Sequence, residues 1–318
     1  MTGNRAQRRF FGNLSWSPWP VVQFRGSIDH AEIGPSFEQL DAPVETVVNR
    51  IFDYARQEVA EPVWITGGNP SLLRGERRDV SLAAMIRPLG QILTLNIGYR
   101  RSVTRGGVTS FPELTPAIEA AFPERVTRDG EGRLVTVDAR AINIARNMDA
   151  DLTTGVTFRL VSGNRADPVQ LSASLNHRWR LKNMLLVRPG LPAIDQLGAG
   201  GQPRHNLSAQ LSIGKRGLGL NLAANWSAPG RVRGAAEDFI FRPPTTFGLS
   251  AFVEPDRLFA SPSRKGVMND FKLSVDVDNL FNGYRRVTRV DGSIPAGFSR
   301  DEVDPLGRTV RLVLRKKF

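Results

Sequence analysis

The chain has 318 residues and no cysteine, which excludes disulfides, thiolate metal sites and cysteine nucleophiles. Hydrophobic residues make up 41% and mean hydropathy is -0.24, values that a soluble protein shares with a protein crossing a membrane on strands, where only alternate residues face lipid. No apolar run approaches the roughly eighteen residues of a helical span, and the net charge of +12 admits nucleic acid, anionic lipid or an anionic solute without choosing among them.

The opening stretch, MTGNRAQRRFFGNLSWSPWP, carries charge but has neither an apolar core nor a small-residue cleavage site. No signal peptide is visible in it, so any export signal is expected outside this chain. From Phe10 onward, apolar residues recur at every second position, the period of a strand with one greasy and one wet face. Phe10, Leu14 and Trp16 begin the series, followed by Val22, Phe24 and Ile28. Val80, Leu82, Ala84 and Ile86 come next, then Leu93, Leu95, Ile97 and Tyr99. Leu152, Val156, Phe158 and Leu160 precede Val169, Leu171, Ala173, Leu175 and Trp179. Leu207, Leu211 and Ile213 are followed by Leu218, Leu220, Leu222 and Trp226. Phe247, Leu249, Ala251 and Val253 lead to Phe271, Leu273, Val275 and Val277, and the last set is Val310, Leu312, Leu314 and Phe318. The intervening residues are polar or small, as in Gln170, Ser172, Ser174, Asn176, Arg178 and Arg180. One such run describes any half-buried strand, whereas about eleven in succession, each near the length of a tilted bilayer-crossing strand, describe a transmembrane sheet.

Connection lengths alternate too. Short links are expected at 17–20, 88–91, 161–168 and 216–217, with a longer one at 255–269; long links fall at 31–77, 100–147, 182–205, 227–244 and 279–307. Short periplasmic turns and long extracellular loops then place every long link outside. Four of the five tryptophans, Trp16, Trp19, Trp179 and Trp226, fall at the expected interfaces, where aromatic girdles sit. Within the long loops, Thr115 before Pro116 and a stop at Pro123 predict a short helix over 116–122. Alternation about a polar turn near 55–57 predicts a hairpin over 46–66, and Asp129-Gly130 predicts another over 124–138. The fold class is therefore all-β: an antiparallel meander of about eleven transmembrane strands forming a partial outer-membrane β-barrel, with long extracellular loops and one short loop helix.

Two motifs carry a family resemblance. Val275-Asp276-Val277-Asp278-Asn279-Leu280-Phe281-Asn282 with Tyr284, then Asp304-Pro305-Leu306-Gly307-Arg308-Thr309 leading to Phe318, resembles the last two strands of TonB-dependent outer-membrane receptors. Gly67-Gly68-Asn69-Pro70-Ser71-Leu72, followed by an Arg/Glu cluster, resembles that family's loop-to-strand signature. The resemblance takes in 1–318 as the C-terminal portion of the barrel, without plug or coupling box, and implies energised uptake of a scarce solute such as a siderophore, cofactor or saccharide. The partners it implies are an N-terminal half bearing the plug, the TonB complex acting through that plug, the barrel-assembly machinery and outer-membrane lipid. It also implies an assembly signal at Leu312, Leu314 and Phe318, where Lys316 departs from the apolar pattern. With both sheet edges open, a complementary half is expected to close the barrel.

For chemistry, no Ser/His/Asp set, carboxylate pair in a pocket or phosphate-cradling loop is read, so no enzyme activity, catalytic residue, cofactor or metal site is expected. His30, His177 and His205 share the lipid-facing register and are not expected to form a joint metal site. Gly198-Ala199-Gly200-Gly201 is read as flexible loop. On the lumen face Arg25, Arg87, Arg100, Arg159, Arg178, Arg180, Lys215, Lys272, Arg311, Arg315 and Lys317 outnumber Asp29, Asp79, Asp151, Asp276 and Asp278. Such a basic wall pairs with acidic groups on a plug or attracts an anionic solute. Near the outer rim, Arg100, Arg178 and Arg180 are the candidate ligand contacts. The alternatives are a passive porin-like channel and a basic nucleic-acid-binding β-protein. The latter would need its basic and aromatic residues gathered on one face, which the spread over many strands opposes, so nucleic acid is not expected as a partner.

Overall fold

The computed structural model describes residues 8–53, 55–56, 58–164, 167–199, 201–233, 238–258, 271–295, 298–300 and 306–316. Eleven strands follow one another in a single sheet in chain order. They are β1 (Arg9–Trp19), β2 (Val22–Ile33), β3 (Gly75–Ile86), β4 (Leu93–Arg105), β5 (Arg146–Ser162), β6 (Val169–Leu186), β7 (His205–Lys215), β8 (Leu218–Ser227), β9 (Thr246–Val253), β10 (Phe271–Asp278) and β11 (Thr309–Lys316). Every neighbouring pair is antiparallel, and β1 and β11 stand at the two open edges.

Register verifies the two faces, because residues directly opposite one another point the same way. One row runs Trp16, Phe24, Ala84, Ile97, Thr154, His177, Leu207 and Trp226 across eight strands, all on the apolar face. It starts beside a short turn and ends beside a long loop, so the strands are inclined. Seven steps of about 4.8 Å give about 34 Å along the row, and an inclination near 45° converts this to a climb of about 24 Å, close to the apolar band of a barrel. A register shift between Trp16 and Trp19 puts both indoles on the apolar face, with Trp16 stacked on Phe24 at 5.6 Å.

Two expectations change. Lys215 lies opposite Leu218, and therefore on the apolar face at the turn end and not on the polar face; its long stem carries the ammonium to the water boundary. β4 and β6 are 13 and 18 residues long and continue to Arg105 and Leu186, past the points, 100 and 182, where loops were expected to start, while the 17-residue β5 begins at Arg146, next to the expected loop end. Beyond the apolar band Met148 and Ala150 are buried, and the polar residues interleaved there disguise the continuation. Phe318 and Lys317 lie outside the described residues, as do Gly200, Asp304 and Pro305.

The long loops build a cap with its own core. Phe111, Leu114, Ile118, Phe122, Leu134, Val137, Ile142 and Val187 are buried together, drawn from two different loops. The helix expected at 116–122 is present at Pro116–Ala121, capped by Thr115, whose hydroxyl accepts from Ile118 N at 3.3 Å. Both expected hairpins form: Glu45–Val48 pairs with Val63–Thr66, and Val126–Arg128 pairs with Leu134–Asp138 around a turn in which Asp129 Oδ1 accepts from Arg133 N at 2.8 Å. The Val63–Thr66 and Leu134–Asp138 strands then pair in parallel, fastening the two loops to each other. A helix at Phe37–Asp41, closed by a capping box between Ser36 and Gln39, and a three-stranded ribbon of Gly230–Arg233, Asp238–Arg242 and Arg286–Arg289 were not anticipated.

Candidate functional site

The polar face carries a belt of arginines and aspartates that crosses the sheet. Arg9 grips Asp29 through Nε and Nη2 at 3.0 and 2.6 Å. Asp79, directly opposite Asp29, accepts from Arg77 at 2.9 Å and Arg100 at 3.2 Å. Asp151, opposite Arg100, receives Arg178 at 3.1 and 2.8 Å. Apart from Arg77–Asp79, which lies within β3, these are cross-strand pairs of opposite charge, held in line by the two-residue period.

The belt opens into a pocket of about 270 Å³ at the loop end, lined by Arg100, Ser102, Asp149, Asp151, Arg178, Arg180, Lys182, Asn183 and Gln202. All three sequence-derived contact residues, Arg100, Arg178 and Arg180, are therefore brought together. An irregularity follows Arg180 at once, where β6 carries an extra residue, Leu181, between the partners of Asp151 and Ala150; Arg180 itself keeps the parity of Arg178 and lies opposite Asp151. Its guanidinium donates to Pro203 O at 2.7 Å and Asn206 Oδ1 at 2.8 Å, leaving no carboxylate on it. Asn183 donates to Gln202 Oε1 at 3.1 Å, while its own Oδ1 is buried without a partner. With four cations against two carboxylates the pocket is net positive. Its size suits an anionic group or one arm of a larger solute rather than a whole large ligand.

Sequence reasoning missed Arg77, Asp149, Lys182, Asn183 and Gln202. Arg77 and Asp149 were available from strand parity, but Gln202 arrives from a loop and carries no periodic signal. A larger hollow of about 730 Å³ lies on the opposite, apolar face, where Ala173, Ala209 and Ala224 leave a dent between Phe158, Leu175 and Phe247. Its lining makes it a hollow for hydrocarbon rather than for a polar ligand.

His177 and His205 meet, Nε2 to Nδ1 at 3.1 Å, with Trp179 stacked on His205; His30 is on another part of the sheet. Among the described residues no three His, Cys, Asp or Glu gather where they could hold a metal ion. Leu312 and Leu314 stand exposed on the apolar face of the edge strand, and Lys316, opposite Phe271, lays its ammonium over that ring at 5.1 Å. The two motifs act as loop fasteners. Asn69 Nδ2 donates to Ala141 O at 2.8 Å across two loops, and Gly68 has backbone so near that a Cβ would lie 2.6 Å from Ala42 N. Asn279 and Asn282 adopt positive φ (52° and 55°), tolerable for asparagine, and Asn282 Oδ1 accepts from Arg308 N at 3.0 Å to set the entry to β11.

In the cap, Arg128 donates to Glu119 at 2.7 and 2.9 Å and to Asp53 at 2.7 and 2.9 Å. These bonds push the Arg128 guanidinium further up and hold the Asp53 carboxyl below the usual carboxylate range.

No protein-family model and no curated protein matches the chain. Solved structures do. A mutant of the ferric enterobactin receptor PfeA of Pseudomonas aeruginosa is 20% identical with a TM-score of 0.60, covering 95% of this chain and 39% of that one. A second mutant of that receptor, in complex with enterobactin, is 19% identical with a TM-score of 0.60 over 96% and 40%. The siderophore receptor PirA of Acinetobacter baumannii is 11% identical, also at 0.60, over 96% and 40%. This chain thus has the fold of part of those receptors and spans about 40% of their length.

Proposed function

We propose that this chain is the C-terminal part of an outer-membrane, TonB-dependent receptor barrel that takes up an anionic iron–siderophore complex. The observation that carries the reading is the sheet itself: eleven strands in sequence with a continuous apolar band on one face, and an arginine-rich pocket at the loop end of the other. In lipid both open edges of such a sheet leave backbone groups without hydrogen bonds, so further strands, on the same chain or another, close the wall. The fold shared with siderophore receptors supports the solute class, and a non-enzymatic role accords with it.

In this reading Arg100, Arg178 and Arg180 meet negative charge on the solute from inside the rim. Asp151 and Asp79 hold the first two in place, and Arg180, bound only to neutral oxygens, keeps the most charge to offer. Energy coupling through a plug and assembly by the barrel-insertion machinery follow from the same reading. The test is to express the chain alone and together with a plug-bearing N-terminal half, then separate membranes with urea and detergent. Insertion with the other half, and ferric-siderophore binding weakened about tenfold or more by Arg180→Gln, is the expected result. A chain that stays dissolved without detergent overturns it.

A further inference from the structure

The apolar face has a rim whose two halves differ. Eight positions along a strand from its turn-end apolar residue, as from Ile86 to Arg78 on β3, brings the chain to the far edge of the apolar band. Nine residues are also about what a tilted strand needs to cross lipid. On β7 and β8 that position holds His205 and Trp226, which with Trp179 of β6, in register beside His205, form an aromatic rim; on β2, β3 and β4 it holds His30, Arg78 and Arg101. All three are solvent-exposed and share the face of the lipid-side residues below them.

These outward arginines lack the carboxylate partner that four inward ones have. Arg9, Arg77, Arg100 and Arg178 each have a carboxylate within 3.2 Å. Arg78 has no ion-pair or hydrogen-bond partner among the described residues, and Arg101 reaches only Met148 Sδ, at 3.9 Å. The nearest carboxylates on this face lie further out and have basic neighbours of their own: Glu32 has Arg74 at 3.7 Å, and Glu76 lies opposite Arg105. Arg78 faces Val103 while Arg101 faces Val80, so the two guanidinium stems are diagonal neighbours on adjoining strands. Two like charges so placed repel unless an anion lies between them.

We propose that Arg78 and Arg101, with His30 beside them, form a binding site for the phosphate of an anionic lipid headgroup, whose acyl chains descend over Leu82 and its apolar neighbours. Charge complementarity and depth select this occupant: the guanidiniums sit at headgroup level with hydrocarbon-facing residues directly below. The inference rests on the membrane reading above. The test reconstitutes the full chain together with the plug-bearing N-terminal half into vesicles of phosphatidylcholine alone, or of phosphatidylcholine with about one-fifth phosphatidic acid, and measures by mass spectrometry the lipid retained after mild detergent extraction. Wild type is expected to retain phosphatidic acid selectively. R78Q/R101Q lowers that retention about twenty-five-fold, roughly fivefold per arginine, while R78K/R101K and the cap variant R133Q keep most of it. Equal retention by wild type and R78Q/R101Q overturns the proposal, as does full displacement of the lipid by millimolar inorganic phosphate, which would mark a free-anion site. Failure of wild type to float with either vesicle instead overturns the membrane reading, and the site with it.

Discussion

The sheet and the cap use the same residue types in opposite ways. In the cap, Val137 is 0% and Phe122 4% exposed, packed among side chains from neighbouring loops. In the sheet, Leu82 is 56% and Leu312 68% exposed, although their strands are regular and fully registered. Among the described residues the buried apolar side chains lie in the loops or in strand ends beneath them, and the apolar face of the eleven-stranded wall has none of comparable burial along its middle. A protein with this distribution stabilises its cap by internal burial and its wall by transfer into an apolar solvent, so the two regions should respond differently to the same perturbation.

The largest separation comes from Phe122→Ala. It removes a ring packed against Phe111 at 5.6 Å and covered by the Arg188 guanidinium at 4.1 Å. The expected cost to the cap is about 4 kcal/mol, read as faster hydrogen exchange in the loops with unchanged exchange in β6 to β8. Leu82→Arg, midway between Ile86 and Arg78 on the lipid-side face, should do the reverse. It costs about 3 kcal/mol of insertion free energy, measured by denaturant unfolding from bilayers, and leaves cap exchange alone; if the cap loosens as well, the two regions are one cooperative unit.

Acid should also discriminate. The Asp53 carboxyl is held down by Arg128, so its contribution is complete above the ordinary carboxylate range, about 3.9, and is lost as pH falls through and below that value. Protection of the cap amides, taken relative to their intrinsic exchange at each pH, should fall between about pH 5 and pH 2, and Arg128→Gln should flatten that dependence while loosening the cap at neutral pH. The smallest effect is Thr115→Ala, which removes the helix cap on Ile118 N and costs about 1 kcal/mol. Its reach should stop at the loop from 106 to 145, seen as protease cleavage there with the sheet intact.

Legibility followed range. Strand alternation is written into consecutive residues, so the apolar sets from Phe10 to Leu314 and the sidedness of their links could be read directly, and the cross-strand register places those sets on one face. Lys215 was misplaced because a charged residue at a strand end was assigned by its chemistry, while its position two residues after Ile213 assigned it to the apolar face. The β6 irregularity at Leu181 was invisible for a related reason: an extra residue is defined only by the strand beside it.

The order of the strands, their two faces and the placing of Arg100, Arg178 and Arg180 near one rim were determined by the sequence alone, since each depends on parity along a single stretch of chain. Which arginines are neutralised and which stay free was decided only by the tertiary structure. Arg178 meets Asp151 across 27 residues and Arg128 meets Asp53 across 75, while Arg78 meets no carboxylate among the described residues. Charge pairing depends on distance in space, and register, bulges and loop packing set that distance after the strands have formed.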